Sequence, residues 1–465
     1  MSFGMNWAAM RRSGVLIIFL LLCTSTSVIG QTANQFPGGL VERQGNLSRT
    51  KWSPSYIQSF IPPSRGAFTF PSPYNTRAIR ITDASDCGGQ DCVAWVSYSY
   101  WRNTNAHQNS NTMWIFVALM TSRGGAGPTL FQYDKTTDAI SKVGPLFPTG
   151  SRFLSSSGEG WYFSGSMPNK LYMNDGTKML RYDVVSRQFD TVFDIGTQYG
   201  SNRYLWQMHS SNDDRVHIAS VRDGASDQVL GCVVFNESSR QMSYFPRTGT
   251  LDECNLDKSG RYVVLLDELN GNHIMDNVFI DLQSGARRTV YDAMGHLDMG
   301  YGYILGGDPF SSLPNAQMTR SFAPTFVTAG PAVFYNVNWN VSAAVHVSHT
   351  NARSGAPLNE QFACGSGADR TALQNEVTCF RLDTSYQQLV VAPIMTNLDA
   401  AGGCCAGDYG KMPKGNLDLT GRYFVWTTNL GGNRLDAFLV KVPSQALVAG
   451  GDTTPPSAPQ NLRID

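Results

Sequence analysis

"NLDKSGRYVVLLDELNGNHIMDNVFIDL", residues 255–282, and "NLDLTGRYFVWTTNLGGNRLDAFLVKV", residues 416–442, share one pattern. Each starts at a polar residue, passes through a turn that ends in Gly, and continues into a β-rich run. A Gly/Asn turn and a second β-rich run follow. The pattern predicts a strand, a tight turn, a strand, a hairpin loop and a strand. A repeated unit of this kind predicts further copies elsewhere in the chain.

Weaker copies of the unit start at five other polar residues, which we call anchors together with the first two. Their intervals are close to the ~40–50 residues of a four-stranded propeller blade, apart from two intervals that contain insertions. Helical periodicity is absent, which argues against a helical solenoid. The seven predicted anchors are Asp86, Ser155, His209, Asn255, His296, Asn338 and Asn416.

The repeats predict an all-β fold, a seven-bladed β-propeller of four-stranded antiparallel blades over residues 76–443. Only two strands are visible after Asn416, and the short strand "TRAIRITD", Thr76 to Asp83, precedes the first anchor without a blade of its own. We therefore expect this N-terminal strand to complete the last blade and close the ring, which leaves only short, protected sheet edges.

The segments outside the propeller have their own signals. Arg11 and Arg12 precede the apolar "GVLIIFLLLC", too short to span a bilayer, and small residues up to Gly30 suit cleavage, so residues 1–30 are predicted to be a signal peptide. Residues 31–75 are predicted to form an irregular arm. Residues 444–465 are predicted to be a Pro-rich linker that resembles the entry to a fibronectin type III domain. The mature protein is expected to be secreted, periplasmic or extracellular, with no later membrane span.

The composition argues against a nucleic-acid partner, and the cysteine count indicates an exported chain with disulfides. The chain has 36 basic and 36 acidic residues, without the basic excess typical of nucleic-acid binding. Eight cysteines remain after the predicted cleavage, and an even number in an exported chain indicates disulfides. The short turn "CGGQDC" predicts the pair Cys87–Cys92; the other pairings stay open, and zinc is the alternative that the absence of a CxxC motif disfavours.

The unit "LDKSGRYVVL" and its copy "LDLTGRYFVW" resemble the repeat of TolB-type, WD-like bacterial propellers. That resemblance implies a propeller fold. It does not select a function, because such propellers include partner-binding modules as well as some polysaccharide lyases.

Candidate site residues follow from the anchors, which should lie where inner strands meet at the central channel. His209 and His296 are candidates for general acid–base work, with Tyr301 or Arg102 assisting. With Asp298 they form a candidate set for calcium, manganese or zinc. Short polar residues also bond turns, which is the competing interpretation of the Asn anchors. His217 and His346 are interpreted as packed blade residues. The predicted ligand-binding residues are Trp101, Glu253, Asn255, Asn338 and Asn416.

Two functions remain open from the sequence. The first is binding of an extracellular polysaccharide, with metal-assisted lyase chemistry at the channel mouth. The second is a non-catalytic scaffold for binding or adhesion at the cell surface. The two differ in whether His209 and His296 share one site.

Overall fold

The fold is a seven-bladed β-propeller, as predicted. A computed structural model describes residues 36–43, 49–94, 98–153, 160–307, 313, 316–322, 330–335, 346–370, 374–401 and 407–447. All belong to one compact unit, Phe36–Asp465. The predicted signal peptide and fibronectin-like entry lie outside the described residues. Within them, no helix is long and apolar enough to cross a membrane.

The segment before the first blade is more ordered than its sequence suggests. It contains strands β1 (Leu40–Arg43), β2 (Gly66–Thr69) and β3 (Arg77–Arg80), and the helix α1 (Pro54–Phe60). The Ser53 hydroxyl caps α1 by accepting a hydrogen bond from the Tyr56 amide.

Blades one to three follow in chain order. Blade one has a sheet of β4 (Thr112–Leu119), β5 (Gly127–Asp134) and β6 (Ile140–Pro145). Blade two comprises β7 (Tyr162–Phe163), β8 (Lys170–Asp175), β9 (Lys178–Asp183) and β10 (Phe189–Asp194), followed by the short helix α2 (Gly196–Tyr199). Blade three comprises β11 (Arg203–Ser210), β12 (Val216–Asp223), β13 (Val229–Asn236) and β14 (Gln241–Pro246).

Blades four and five are also four-stranded. Blade four comprises β15 (Thr250–Leu256), β16 (Tyr262–Glu268), β17 (Asp276–Asp281) and β18 (Arg287–Val290). Blade five comprises β19 (Leu297–Met299), β20 (Tyr303–Gly307), β21 (Gln317–Ser321) and β22 (Ala332–Phe334).

Blades six and seven each take strands from the N-terminal segment. Blade six comprises β23 (His346–Ser348), β24 (Phe362–Ser366), β25 (Glu376–Arg381) and β26 (Gln387–Pro393), with β1 paired outside β26. Blade seven comprises β27 (Asn416–Leu417), β28 (Tyr423–Thr428) and β29 (Asp436–Lys441), completed by β3 and then β2. Short 3₁₀ turns lie at Ala84–Cys87, Thr121–Arg123, Leu358–Glu360, Gly407–Gly410 and Ser444–Leu447.

The ring closes as the sequence predicts. The strand β3 pairs antiparallel with β29, with Arg80 opposite Phe438, so the N-terminal strand becomes the fourth strand of the last blade. The Arg80 guanidinium donates to the Asp436 carboxylate at 2.6 Å, and both side chains are buried. This ion pair fixes the closing strand to blade seven.

The core lies between the faces of neighbouring blades. Ile218 of blade three and Val263 of blade four, for example, belong to one buried cluster. A disulfide between Cys232 and Cys254 joins the same two blades. The predicted Cys87–Cys92 disulfide is confirmed, and a third joins Cys364 to Cys379. Cys404 and Cys405 lie outside the described residues.

Candidate functional site

The turn after each inner strand gives the register of the blades. In blades three, four, five and seven, one backbone amide donates the hydrogen bond that closes this turn. These amides belong, in that order, to Ser211, Asp257, Gly300 and Asp418. Two residues before each lie His209, Asn255, Asp298 and Asn416. The prediction of His296 as the anchor of blade five is therefore wrong. Asp298 occupies the anchor position, and His296 lies two residues earlier on the same face of the strand. The cause is a turn two residues shorter, from Gly300 to Tyr303 rather than from Asp257 to Tyr262.

The anchors link neighbouring blades. The Asp298 carboxylate accepts from the His349 amide at 2.6 Å, and the Ser348 hydroxyl accepts from the Leu417 amide at 3.0 Å. Leu417 directly follows Asn416, the anchor of blade seven. By the same pattern His349 follows the anchor of blade six, which is therefore Ser348. The Asn416 side chain continues the pattern by accepting from the Asn103 amide at 3.3 Å.

One other predicted anchor differs from expectation, and two lie outside the described residues. Asp86 lies in a 3₁₀ turn and pairs with Arg65 at 2.8 Å, so it does not end an inner strand. Ser155 lies outside the described residues, and Tyr162 holds the anchor position of blade two, because the Ser164 amide closes that turn. Asn338 also lies outside the described residues, whereas Asn255 is buried within β15.

A second row of side chains lies two residues before the anchors. We call it the channel row, because three of its members line one cavity at the centre of the propeller. Period-two alternation puts Glu253 and His346 on the same face of their inner strands as the anchors, whereas Gln207 lies in a β-bulge and reaches the cavity by that irregularity. The channel row consists of Gln207, Glu253, His296, His346 and Lys414, from blades three to seven in turn.

Aromatic residues from two long connections complete the cavity. The inner strand of blade one is interrupted between the bridges at Val93 and Thr104, and the intervening excursion carries Tyr98, Tyr100 and Trp101. Tyr409, from the connection between blades six and seven, donates its hydroxyl hydrogen to the Tyr98 hydroxyl at 2.9 Å. The cavity has a volume of about 450 Å³.

The excursion is fixed to blades three and four. The Trp101 indole stacks on His209 with ring centroids 5.4 Å apart and donates to the Met208 carbonyl at 2.7 Å. Glu253 accepts from the Tyr100 hydroxyl at 2.8 Å, and its other oxygen lies 3.2 Å from His209 Nε2. Glu253 thus joins the aromatic excursion to the channel row.

His296 and His346 form a second contact group. Their ring centroids are 4.9 Å apart, and Tyr98 lies 5.1 Å from His346. Burial lowers the pKa of both imidazoles. The Glu253 carboxylate opposes this shift at His296, and the nearby Lys414 ammonium lowers the pKa of each ring further. The His296 side chain is exposed, and one side of its ring faces the cavity. Both rings are therefore neutral at neutral pH.

A β-bulge brings a second carboxylate to the cavity. Leu251 pairs with Asp267 and Glu253 with Leu266, so Asp252 is an extra residue in β15. Asp252 and Glu253 consequently line the same cavity, although adjacent residues of a regular strand point to opposite faces. Burial, followed by the Glu253 charge, raises the pKa of Asp252, and Arg222 opposes this shift.

Arg102 and Tyr301 lie near the turn end of the inner strands and are not among the cavity-lining residues. Arg102 is buried and donates to the Phe163 carbonyl at 3.0 Å and to the Asn212 side chain at 3.2 Å. Asn212 also bonds Tyr301, whose pKa is raised by burial. The structure therefore separates these two residues from His296.

The predicted metal set is not assembled. The Asp298 carboxylate is occupied by Lys258 Nζ at 2.9 Å and by the amides of Met299 and His349, each at 2.6 Å. His209 contacts Glu253 and Trp101 instead. Throughout the described ranges, no group of three or more His, Cys, Asp or Glu side chains is placed to hold a metal ion.

Sequence reasoning missed most of the lining. His346 is buried, consistent with its interpretation as a packed residue, and its ring contacts those of His296 and Tyr98. The run "SYSYW", residues 97–101, was the available signal for the aromatic residues, and of these only Trp101 was predicted. Asp252, Gln207 and Tyr409 carry no signal that distinguishes them from other loop or strand residues.

A second cavity, of about 400 Å³, lies against α1 and is lined by Arg49, Lys51, Trp52, Tyr56 and Tyr74, among others. Its cations are already engaged. Arg49 donates to Glu376 and Glu42, and Lys51 Nζ lies 2.5 Å from the Asp369 carbonyl oxygen. This cavity offers aromatic surface, and both of its cations already donate to acceptors of the protein.

Comparisons with known proteins agree with the fold. No family model matches the chain, and no curated protein matches it. An oligogalacturonate lyase from Vibrio parahaemolyticus is similar in structure, with a TM-score of 0.57 at 9% identity over 82% of this chain and 97% of that one. An oligogalacturonate lyase in complex with manganese gives 0.55 at 12% identity, over 85% and 99%. At such identities the likeness shows a shared β-propeller fold.

Proposed function

We propose that this protein binds an extracellular polysaccharide in the cavity at the centre of its propeller. One observation carries the proposal: aromatic rings and hydrogen-bonding carboxylate and amide groups line the same cavity. Ligand sites combine a concave, largely preformed surface with a few polar groups that fix orientation. A sugar ring fits such a lining, because its C–H face packs on aromatic rings and its hydroxyls donate to carboxylates.

Each part of the lining supports a specific role. The rings of Tyr98, Tyr100 and Tyr409 supply the stacking surface. Glu253 is held by Tyr100 and His209, so its orientation is set before a ligand arrives. Preorganised groups lower the entropy cost of binding.

Lyase chemistry is the second candidate, favoured by the neutral imidazole of His296 at the cavity wall. Such a ring could accept a proton beside a uronic carboxylate. Elimination also needs positive charge near that carboxylate. Arg102 and Tyr301, the predicted assistants, lie near the turn end of the inner strands. Arg222 does line the cavity, but its charge acts on the Asp252 carboxylate, which leaves binding as the better supported function.

A divalent cation would need more ligands than the described cavity offers. His346 is buried beside His296, with ring centroids 4.9 Å apart, and imidazole nitrogens are a common type of metal ligand. A protein site commonly supplies three or more ligands, and a third does not join this pair among the described residues.

Export is part of the same proposal. The three disulfides fit an oxidising compartment, such as the extracellular space or the periplasm. Residues 1–30 are proposed to be the signal peptide that directs the chain there.

A glycan screen with matched variants tests the proposal. Wild type is expected to bind at least one polysaccharide, Tyr409→Phe to retain binding, and Tyr409→Ala to lose at least tenfold in affinity, because only the alanine variant removes the ring. Retained affinity in Tyr409→Ala, or no binding by wild type, would contradict it. Absorbance at 235 nm on uronate polymers tests lyase activity separately; no change would favour a binding protein.

A further inference from the structure

We infer that the cavity selects saccharides that carry a protonated amine over uronates. This inference rests on the proposed function, because it names the class of sugar taken by the same cavity. It depends on the charges and hydrogen-bond acceptors of one wall.

The wall formed by blades three and four is rich in acceptors. Asp252 and Glu253 both line it, because the bulge turns two adjacent carboxylates toward the cavity. Gln207, the channel-row residue of blade three, lines the same wall, and its side-chain oxygen is buried without a hydrogen-bond donor from the described part of the chain. A buried acceptor without a donor costs free energy that a ligand donor can recover.

Gln207 has a second unusual property. Its φ is +45°, a left-handed conformation that non-glycine residues rarely adopt, and it lies in the bulge between Trp206 and His209. Conformations of this kind persist where the surrounding structure imposes them, and they are frequent in ligand sites. The left-handed backbone conformation and the side-chain oxygen without a donor belong to the same residue.

The positive charges near the cavity do not neutralise the carboxylates of this wall. Arg222 also lines the cavity, where it faces the two carboxylates Asp252 and Glu253; it lies over the Trp206 ring and donates to the Asp227 carboxylate at 3.3 Å. Lys414 Nζ is 3.8 Å from the centroid of the Tyr409 ring and donates to the Tyr409 carbonyl at 2.6 Å. Lys414 is not among the residues that line the cavity. The two adjacent imidazoles are neutral.

An ammonium group suits this wall better than a hydroxyl or a carboxylate. It offers three donors and a positive charge to Asp252, Glu253 and Gln207. Hydrogen bonds between ionised partners are about twice as strong as those between neutral groups. A uronate carboxylate would instead meet two like charges in a partly enclosed space.

Three hexasaccharides test the inference by titration calorimetry at pH 6: β-1,4-linked glucosamine, its fully N-acetylated form and oligogalacturonate. The amine-bearing hexamer is expected to bind at least tenfold more tightly than the acetylated one, with an affinity that falls as salt rises. Asp252→Asn, which keeps size and removes charge, should reduce that preference to threefold or less. Asp399→Asn, at an exposed carboxylate outside the cavity lining, is the matched control and should leave it unchanged.

The outcomes separate this inference from the proposed function. Equal binding of the amine-bearing and acetylated hexamers, or tighter binding of oligogalacturonate, overturns the inference and leaves the proposed function standing. An unchanged preference in Asp252→Asn also overturns it. Failure of wild type to bind any saccharide in this test or in the wider screen overturns both.

Discussion

Asp298 is expected to be a structural anchor whose loss destabilises the propeller. Its carboxylate lies 2.9 Å from Lys258 Nζ, with the two side chains 2% and 7% exposed. Removing one partner of a buried ion pair leaves an uncompensated charge, at a cost of about 3–5 kcal/mol. Asp298→Ala also leaves the buried His349 amide without its acceptor. The expected loss in the free energy of unfolding is therefore at least about 3 kcal/mol.

Urea unfolding followed by tryptophan fluorescence measures this loss as a lower midpoint. Asp298→Asn should lose less, because its amide oxygen can still accept from the His349 amide. The double variant Lys258→Met/Asp298→Leu should recover most of the stability, since it removes both charges together. An unchanged midpoint in Asp298→Ala, combined with the loss of a bound metal, would refute the structural role.

Three further predictions concern stability. Burial lowers the pKa of His349 from 6.5 to about 4. Between these values the unfolded chain binds a proton that the folded chain does not bind. The free energy of unfolding should therefore fall by up to about 3 kcal/mol from pH 7 to pH 4. A urea series across this range measures the fall, which His349→Gln should flatten. Trp101→Ala should cost about 3–5 kcal/mol, measured by urea unfolding, because the indole is buried and stacked; Trp101→Phe should cost less, and equal losses would contradict the stacking argument. Replacing Cys232 and Cys254 by Ala should cost about 3 kcal/mol, since their disulfide spans 22 residues; an unchanged thermal midpoint would be the contrary result.

The sequence predicts the architecture well because local patterns encode it. Repeated turns and β-rich runs identify the blades, and the unpaired strand at Thr76 predicts the closure by β3. The Cys87–Cys92 pair follows from its short loop. These features depend on neighbours in the chain.

The candidate site is predicted less completely because it depends on register and long-range contact. A turn two residues shorter in blade five places His296 in the channel row and Asp298 at the anchor, and alignment by residue type cannot detect this shift. His346 contacts His296 only because β23 lies beside β19. Tyr98 and Tyr100 reach blades four to six through an excursion whose path has no local signal.

A crystal structure with a bound oligosaccharide tests the central claim most directly. A sugar ring is expected in the central cavity, in contact with Tyr100 or Tyr409, with a donor of the sugar bonded to Asp252 or Glu253. A sugar bound instead in the cavity beside Trp52 and Tyr56, with the central cavity empty, would contradict the account.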